Sequence, residues 1–157
     1  KKKDNLINEN KNIINSNKKI TDFERDILIL AAGEEQITEN NCYDINSNLI
    51  IEGANGPITS EADEILNGRN IKILPDLLIN GGGVTVSYFE WLKNLQGNNF
   101  GLNPDKSEKE LVYELLEKTM NKGMTEVYNT SIEKTNGDMR MAAYLLSIDN
   151  LSAKYDI

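Results

Sequence analysis

Three short stretches carry residue types suited to holding a small polar molecule: "AAGEE" (Ala31 to Glu35), "EGANGP" (Glu52 to Pro57) and "PDLLINGGG" (Pro75 to Gly83). All three are rich in small side chains, and two add an asparagine, Asn55 and Asn80. A primary amide presents a donor and an acceptor at one tip, which suits a ligand bearing amide and hydroxyl groups. The triplet Gly81 to Gly83 stands directly before an apolar, helix-like stretch, "VTVSYFEWLKNL". Bare backbone there lets a ligand approach a helix N-terminus, whose free N–H groups and dipole favour a carboxylate or phosphate. Ser87, one turn further, adds a hydroxyl for the same anion. Ordinary turn chemistry explains any single one of these loops, since glycine and asparagine both tolerate left-handed backbone. The case for a site rests on finding all three at one place.

The elements before the loops put them there. "DILILAA" (Asp26 to Ala32) is a nearly continuous apolar run, as expected of a strand buried on both faces of a parallel sheet. "EEQITENNCYDI" is long enough for a short helical crossover, and "NLIIEG" (Asn48 to Gly53) reads as a second strand. "TSEADEILNGR" reads as a helix in which Ser60 with Asp63 forms a capping-box-like start and Gly68 marks the stop. "IKIL" (Ile71 to Leu74) is a third strand, ended by Pro75. Strand, crossover, strand, helix, strand predicts a right-handed parallel α/β sheet. Its three loops then leave from one carboxyl edge, where ligands of open α/β folds bind. A small-molecule site for an anionic ligand is as far as this pattern reaches.

Beyond Gly83 the expected structure is helical. Val84, Tyr88, Trp91 and Leu95 recur at helical spacing and predict one apolar, core-facing side. "QGNNFGLNPDKS" is expected to be a loop. Leu111, Val112, Leu115, Leu116, Met124 and Val127 predict a long second helix, weakened near Gly123. Tyr144, Ile148, Leu151 and Tyr155 repeat the spacing after a turn at "TNGD". The fold class expected is thus α/β, a partial Rossmann-type parallel sheet of about three strands with crossovers, followed by a C-terminal helical section. The organisation expected is a Lys/Asn-rich flexible loop or insertion over 1–21, the later part of a nucleotide-binding domain over 22–97, and the helical section over 98–157.

Composition narrows the chemistry. The 157 residues carry a net charge of -8, with a pI near 4.6, which argues against coating a nucleic-acid duplex. With no histidine, His-based triads and imidazole metal sites are excluded. A lone cysteine, Cys42, excludes an internal disulfide and a Cys-type zinc site, and it fits a reduced, intracellular setting in cytoplasm or organelle. Residues 1 to 20 hold six Lys and six Asn and bury little, as a solvated surface segment does. No apolar run approaches the roughly 20 residues of a membrane span, no signal-peptide core opens the chain, and no Met opens it either.

The stretches "IIEGANGPITSEADEIL", "ILPDLLINGGGVTVSYFEWLKNL" and "DMRMAAYLLSIDNL" closely resemble the glutamate dehydrogenases, within the wider glutamate, leucine, phenylalanine and valine dehydrogenase superfamily. "DILILAAGEEQIT" resembles the strand and loop before them. The likeness is strong over residues 22 to 97 and weaker over 137 to 155; between Gly101 and Lys134 only helical character is shared. It implies NAD- or NADP-dependent, reversible oxidative deamination of L-glutamate to 2-oxoglutarate and ammonia. By position in those motifs, Ala31 and Ala32 would line the nucleotide. Asn55 would lie beside the nicotinamide ribose, and Asn80 near both nicotinamide and substrate. Val84 and Ser87 would line the substrate pocket, the serine holding the distal carboxylate, while Tyr88 and Trp91 would be packing residues.

Departures from the family pattern are Leu30, where proline is usual, and Gly81, where alanine is usual. Too few residues separate the helix ending near Leu95 from the next for a long animal-type antenna. The family's substrate domain with its catalytic lysine and aspartate is expected outside this chain, as are the glycine-rich pyrophosphate loop and the acidic residue reading the ribose. The chain is therefore expected to be the C-terminal portion of a homo-oligomeric, by resemblance hexameric, enzyme and to be inactive alone, with no catalytic residue or metal ligand of its own. The competing expectations are a non-catalytic interaction module and an amino acid dehydrogenase for another substrate.

Overall fold

The computed structural model describes residues 25–96 and 107–155. The Lys/Asn-rich stretch over 1–21 and most of the loop expected after Gln96 lie outside the described residues. Three short strands, β1 (Ile27–Leu30), β2 (Leu49–Glu52) and β3 (Lys72–Leu74), form a parallel sheet in that order. Leu30 pairs with Glu52 and Ile51 with Leu74, so all three strands finish within a residue of one level. The loops behind them therefore do leave from one edge. The helices are α1 (Ser60–Gly68), α2 (Asp76–Ile79), α3 (Gly81–Gln96), α4 (Glu108–Lys134) and α5 (Met139–Tyr155). This is the expected α/β class, a partial Rossmann-like sheet followed by helices.

One face of the sheet makes the core. Leu28, Leu30, Ile50 and Ile73 point into it and meet Ile37, Ile45, Ile58, Ala62 and Leu66. A second, smaller cluster joins Val127 of α4 to Ala142 and Ala143 of α5, with Leu78 packed against it. Leu78 of α2 thereby ties the strand-end region to the helical section.

Several local expectations are corrected. In β1 burial alternates: Leu28 and Leu30 are buried, while Ile27 and Ile29 are 52% and 60% exposed. The described residues cover only one face of this edge strand, so its apolar run is not buried on both. The β1–β2 crossover is irregular rather than helical, with one 3-10 turn over Cys42–Asp44. Short polar side chains there capture the backbone themselves. Asn41 accepts from the Thr38 N–H at 2.8 Å and donates to the Gln36 carbonyl at 3.0 Å. From outside, Arg69 donates to the carbonyls of Cys42 and Ile45 and closes the crossover against the end of α1.

The N-cap of α1 is Thr59, whose hydroxyl accepts from the Ala62 N–H at 3.3 Å; Ser60 is the first helical residue. Gly68 does end this helix. Helix α4 runs through Gly123 without interruption and begins with a full capping box between Ser107 and Glu110. The "TNGD" turn forms as expected, with Asn136 and Gly137 at positive φ and the Gly137 N–H on the Ser131 carbonyl.

The largest correction concerns the helical faces. Val84, Tyr88, Trp91 and Leu95 lie on one side of α3 but are 71%, 53%, 55% and 64% exposed. Tyr88 and Trp91 stack at 5.9 Å between ring centroids on that open side instead of packing into the chain's core. Tyr144, Ile148, Leu151 and Tyr155 of α5 are exposed too, and the residues α5 buries are Ala142 and Ala143. Both helices are apolar on more than one side. Spacing identifies such a face without saying which neighbour covers it. Among the described residues, no helix is long and apolar enough to cross a membrane.

Candidate functional site

The site is assembled by hydrogen bonds that join the three strand-end loops in pairs. The N–H groups of Gly53 and Ala54 both donate to the Leu30 carbonyl, at 2.8 and 2.9 Å, folding the β2 loop back over the end of β1. That approach is close: a Cβ on residue 53 would lie 3.3 Å from the Ala31 Cβ, a tight contact that glycine avoids. Further along, the Glu35 N–H donates to the Gly56 carbonyl and the Ile37 N–H to that of Pro57, each at 2.9 Å. Ala31 and Ala32 stay exposed at the start of the first loop and form a small-residue floor.

The second and third loops meet through Asp76 and the two asparagines. The Gly56 N–H donates to Asp76 Oδ2 at 2.8 Å. Asn80 Nδ2 donates to Asn55 Oδ1, linking side chains 25 residues apart. Asn80 is the hinge residue between α2 and α3, its N–H held by the Asp76 carbonyl at 3.0 Å. The pairing leaves the amide hydrogens of Asn55 and the carbonyl oxygen of Asn80 for a ligand, one donor group beside one acceptor.

Helix α3 starts on the glycines rather than after them. Apart from the chain neighbours and the helix's own backbone, no atom of the described residues lies within 4 Å of a Cβ built on Gly81 or Gly83, and on Gly82 only Leu116 Cδ1 is near, at 3.8 Å. Packing inside the described chain therefore does not require the triplet, and the space beside it is open. Val84 and Ser87 follow on one helical face, both exposed, directly after the Asn80 hinge. The structure thus gathers Asn55 and Asn80 into direct contact and places Ala31, Ala32, Val84 and Ser87 on loops and a helix radiating from the same edge. No lysine occurs in the three loops or the first half of α3.

Sequence reasoning missed the charged support beneath this edge. Glu52, the last residue of β2, is fully buried. Its Oε1 accepts from Arg140 Nη2 of α5 at 2.7 Å, and its Oε2 accepts from the Asp76 N–H at 2.9 Å. Arg140 also contacts Asp63 Oδ1 of α1 through Nε at 3.1 Å and Nη2 at 3.0 Å, and Asp76 Oδ1 through Nη1 at 3.5 Å. Burial alone would push the Arg140 guanidinium down. The hydrogen bonds and charges of Glu52 and Asp63 outweigh it and hold the group above its ordinary value. One signal could have found the cluster: a carboxylate closing the apolar strand "LIIE" must have a cationic partner if it is buried.

Comparisons with known proteins agree with this architecture. The family described as Glutamate/Leucine/Phenylalanine/Valine dehydrogenase matches residues 1–156. A glutamate dehydrogenase of Thermotoga maritima is 44% identical over 133 residues, covering 85% of this chain and 30% of its own length. The crystal structure of glutamate dehydrogenase from Peptoniphilus asaccharolyticus superposes with a TM-score of 0.69 at 38% identity, over 80% of this chain and 30% of that one. A hetero-hexameric glutamate dehydrogenase from Thermus thermophilus gives a TM-score of 0.73 at 28% identity, over 85% and 30%. The chain spans under a third of the length of these relatives.

Proposed function

This chain belongs to the Glutamate/Leucine/Phenylalanine/Valine dehydrogenase family, and from that premise we propose that it is the C-terminal portion of an NAD- or NADP-dependent glutamate dehydrogenase. The reaction is the reversible oxidative deamination of L-glutamate to 2-oxoglutarate and ammonia. The observation that carries the reading is the Asn55–Asn80 pair at the edge of a parallel sheet, beside glycines that no internal packing requires.

The residues present fit a nicotinamide nucleotide. Ala31 and Ala32 leave room for flat, extended ligand parts against the end of β1. Asn55, with its free amide hydrogens, suits a ribose hydroxyl, and Asn80, with its free carbonyl oxygen, suits a carboxamide or the substrate ammonium. When bound, the nicotinamide ring supplies the hydride acceptor for the substrate Cα. The chain's own residues hold the two partners in register, which is where much of the rate of such a transfer originates. Gly81 to Gly83 admit the reactants to the start of α3. Val84 contacts the aliphatic part of the substrate, and Ser87 donates its hydroxyl to the distal carboxylate. A buried polar contact of that kind discriminates glutamate from leucine or phenylalanine, which have nothing to pair with it.

The proton-transferring lysine and aspartate of the family belong, on this reading, to a substrate domain outside the 157 residues, and the chain by itself is inactive. The Thermus relative is described as hetero-hexameric; for this protein a homo-hexamer in an intracellular compartment is the corresponding proposal. The test is a panel assay of the full-length protein, reading NAD and NADP reduction with glutamate, leucine and phenylalanine. Turnover confined to glutamate supports the reading. Turnover of leucine or phenylalanine in preference to glutamate refutes the assignment of Ser87, and inertness towards all three refutes the enzyme.

A further inference from the structure

We infer that Arg140 is a positioning residue for the strand-end site: its guanidinium, delivered by α5, sets the relative placement of Asn55 and Asn80 by gripping Glu52 and Asp76. The part of this inference that concerns catalysis rests on the functional reading above; the mechanical part does not.

Two hydrogen-bond chains start from the one guanidinium. In the first, Arg140 holds Glu52, and the other oxygen of Glu52 accepts from the Asp76 N–H, fixing where α2 begins. The Asp76 carbonyl in turn holds the Asn80 N–H. In the second, Arg140 contacts Asp76 Oδ1 while Asp76 Oδ2 holds the Gly56 N–H, one residue from Asn55. Asp76 thus carries both loops, and Arg140 with Glu52 orients Asp76. A planar guanidinium with several fixed donors can serve three carboxylates at once, which the single ammonium of a lysine cannot reproduce. Asp63 completes the seat from α1.

The arrangement links distant parts of the chain. Residues 52, 63, 76 and 140 come from β2, α1, α2 and α5, so a shift of α5 is passed directly to the asparagine pair. Leu78 of α2 also packs against the cluster that Ala142 and Ala143 of α5 form with Val127. Electrostatic grip and apolar packing therefore act on the same short helix.

The test uses the full-length protein with Arg140→Lys. It also uses Asp76→Asn, which keeps the side-chain shape and leaves the core cation in place should the first variant fold poorly. Amide hydrogen exchange over residues 53–57 and 75–83 is read first. The inference expects exchange there to rise about tenfold while β1 and β2 stay protected, the mark of local rather than global opening. The second readout is steady-state kinetics at a temperature where the variants remain folded. It expects the nucleotide KM to rise about tenfold, with Arg140→Met worse than Arg140→Lys. A merely structural arginine would lower Tm and leave that KM unchanged. Unchanged exchange in both loops overturns the inference outright. Faster exchange with unchanged nucleotide KM in an active enzyme overturns the positioning role. A full-length protein that turns over nothing refutes the functional reading instead, and the exchange experiment still decides whether Arg140 holds the loops.

Discussion

Asn80 donates its side-chain amide to the side-chain carbonyl of Asn55, although 25 residues and a whole helix–strand–helix excursion separate them. Asn80 ends α2 through its backbone N–H on the Asp76 carbonyl, and the side chains of both asparagines are left for each other. Each comes from a different loop at the carboxyl edge of the sheet, and their mutual bond leaves the Asn55 amide group and the Asn80 carbonyl oxygen with capacity to spare. Turn chemistry accounts for asparagine in a loop, but it does not account for two of them meeting this way.

The glycine triplet separates packing from ligand approach. Gly83 is helical, and a Cβ there meets nothing within 4 Å. Gly83→Ala should therefore stabilise the full-length protein by about 0.5–1 kcal/mol through lower helix entropy cost. On the proposed function, the same change should reduce kcat/KM for glutamate at least about tenfold, because it fills the open space through which the reactants would approach. Thermal unfolding and steady-state kinetics on one preparation check both halves. Full activity in a stabilised variant would remove the triplet from the site.

Ser87→Ala should act on one substrate only. Loss of a hydrogen bond to a charged group is worth about 1.5–3 kcal/mol, so the KM for glutamate should rise roughly ten- to a hundredfold. The nucleotide KM should stay within about twofold. Equal effects on both would mean that Ser87 supports the helix rather than the substrate.

Arg69 tests the fold independently of the site. Among the described residues, it is the donor that reaches the carbonyls of Cys42 and Ile45 from outside the crossover. Arg69→Met should lower the stability of the full-length protein by about 1–3 kcal/mol, as the Ile45 carbonyl loses its donor and the Cys42 carbonyl keeps only the long bond from the Ile45 N–H. Chemical denaturation reads the loss, and the nucleotide KM of the folded enzyme should not change.

The parallel sheet and its common loop edge were legible because apolar runs, glycine stops and Pro75 punctuate the chain at strand–helix intervals. The asparagines were legible because small residues follow each strand and an asparagine joins them after two of the three. Three things were not. The crossover containing Thr38 and Asn41 lost its helix to local side-chain bonds that compete with helical ones, and its closing partner, Arg69, is supplied only by the fold. The exposed stripe of Tyr88 and Trp91 shows that spacing finds an apolar face without finding its neighbour. Arg140 sits 88 residues from Glu52, and nothing local in "DMRMAAY" says which carboxylates its guanidinium meets. The buried charge ending β2 carried the only hint.

The most direct measurement of the central claim is a double-mutant cycle on Asn55 and Asn80, read as the nucleotide dependence of glutamate oxidation by the full-length enzyme. The account predicts that Asn55→Ala and Asn80→Ala each raise the nucleotide KM about tenfold. It also predicts that the double variant falls short of the sum by about 0.5–1.4 kcal/mol, the upper value being one whole tenfold effect, since the two side chains act as one unit. Single variants with unchanged nucleotide KM, or strictly additive effects, would contradict it.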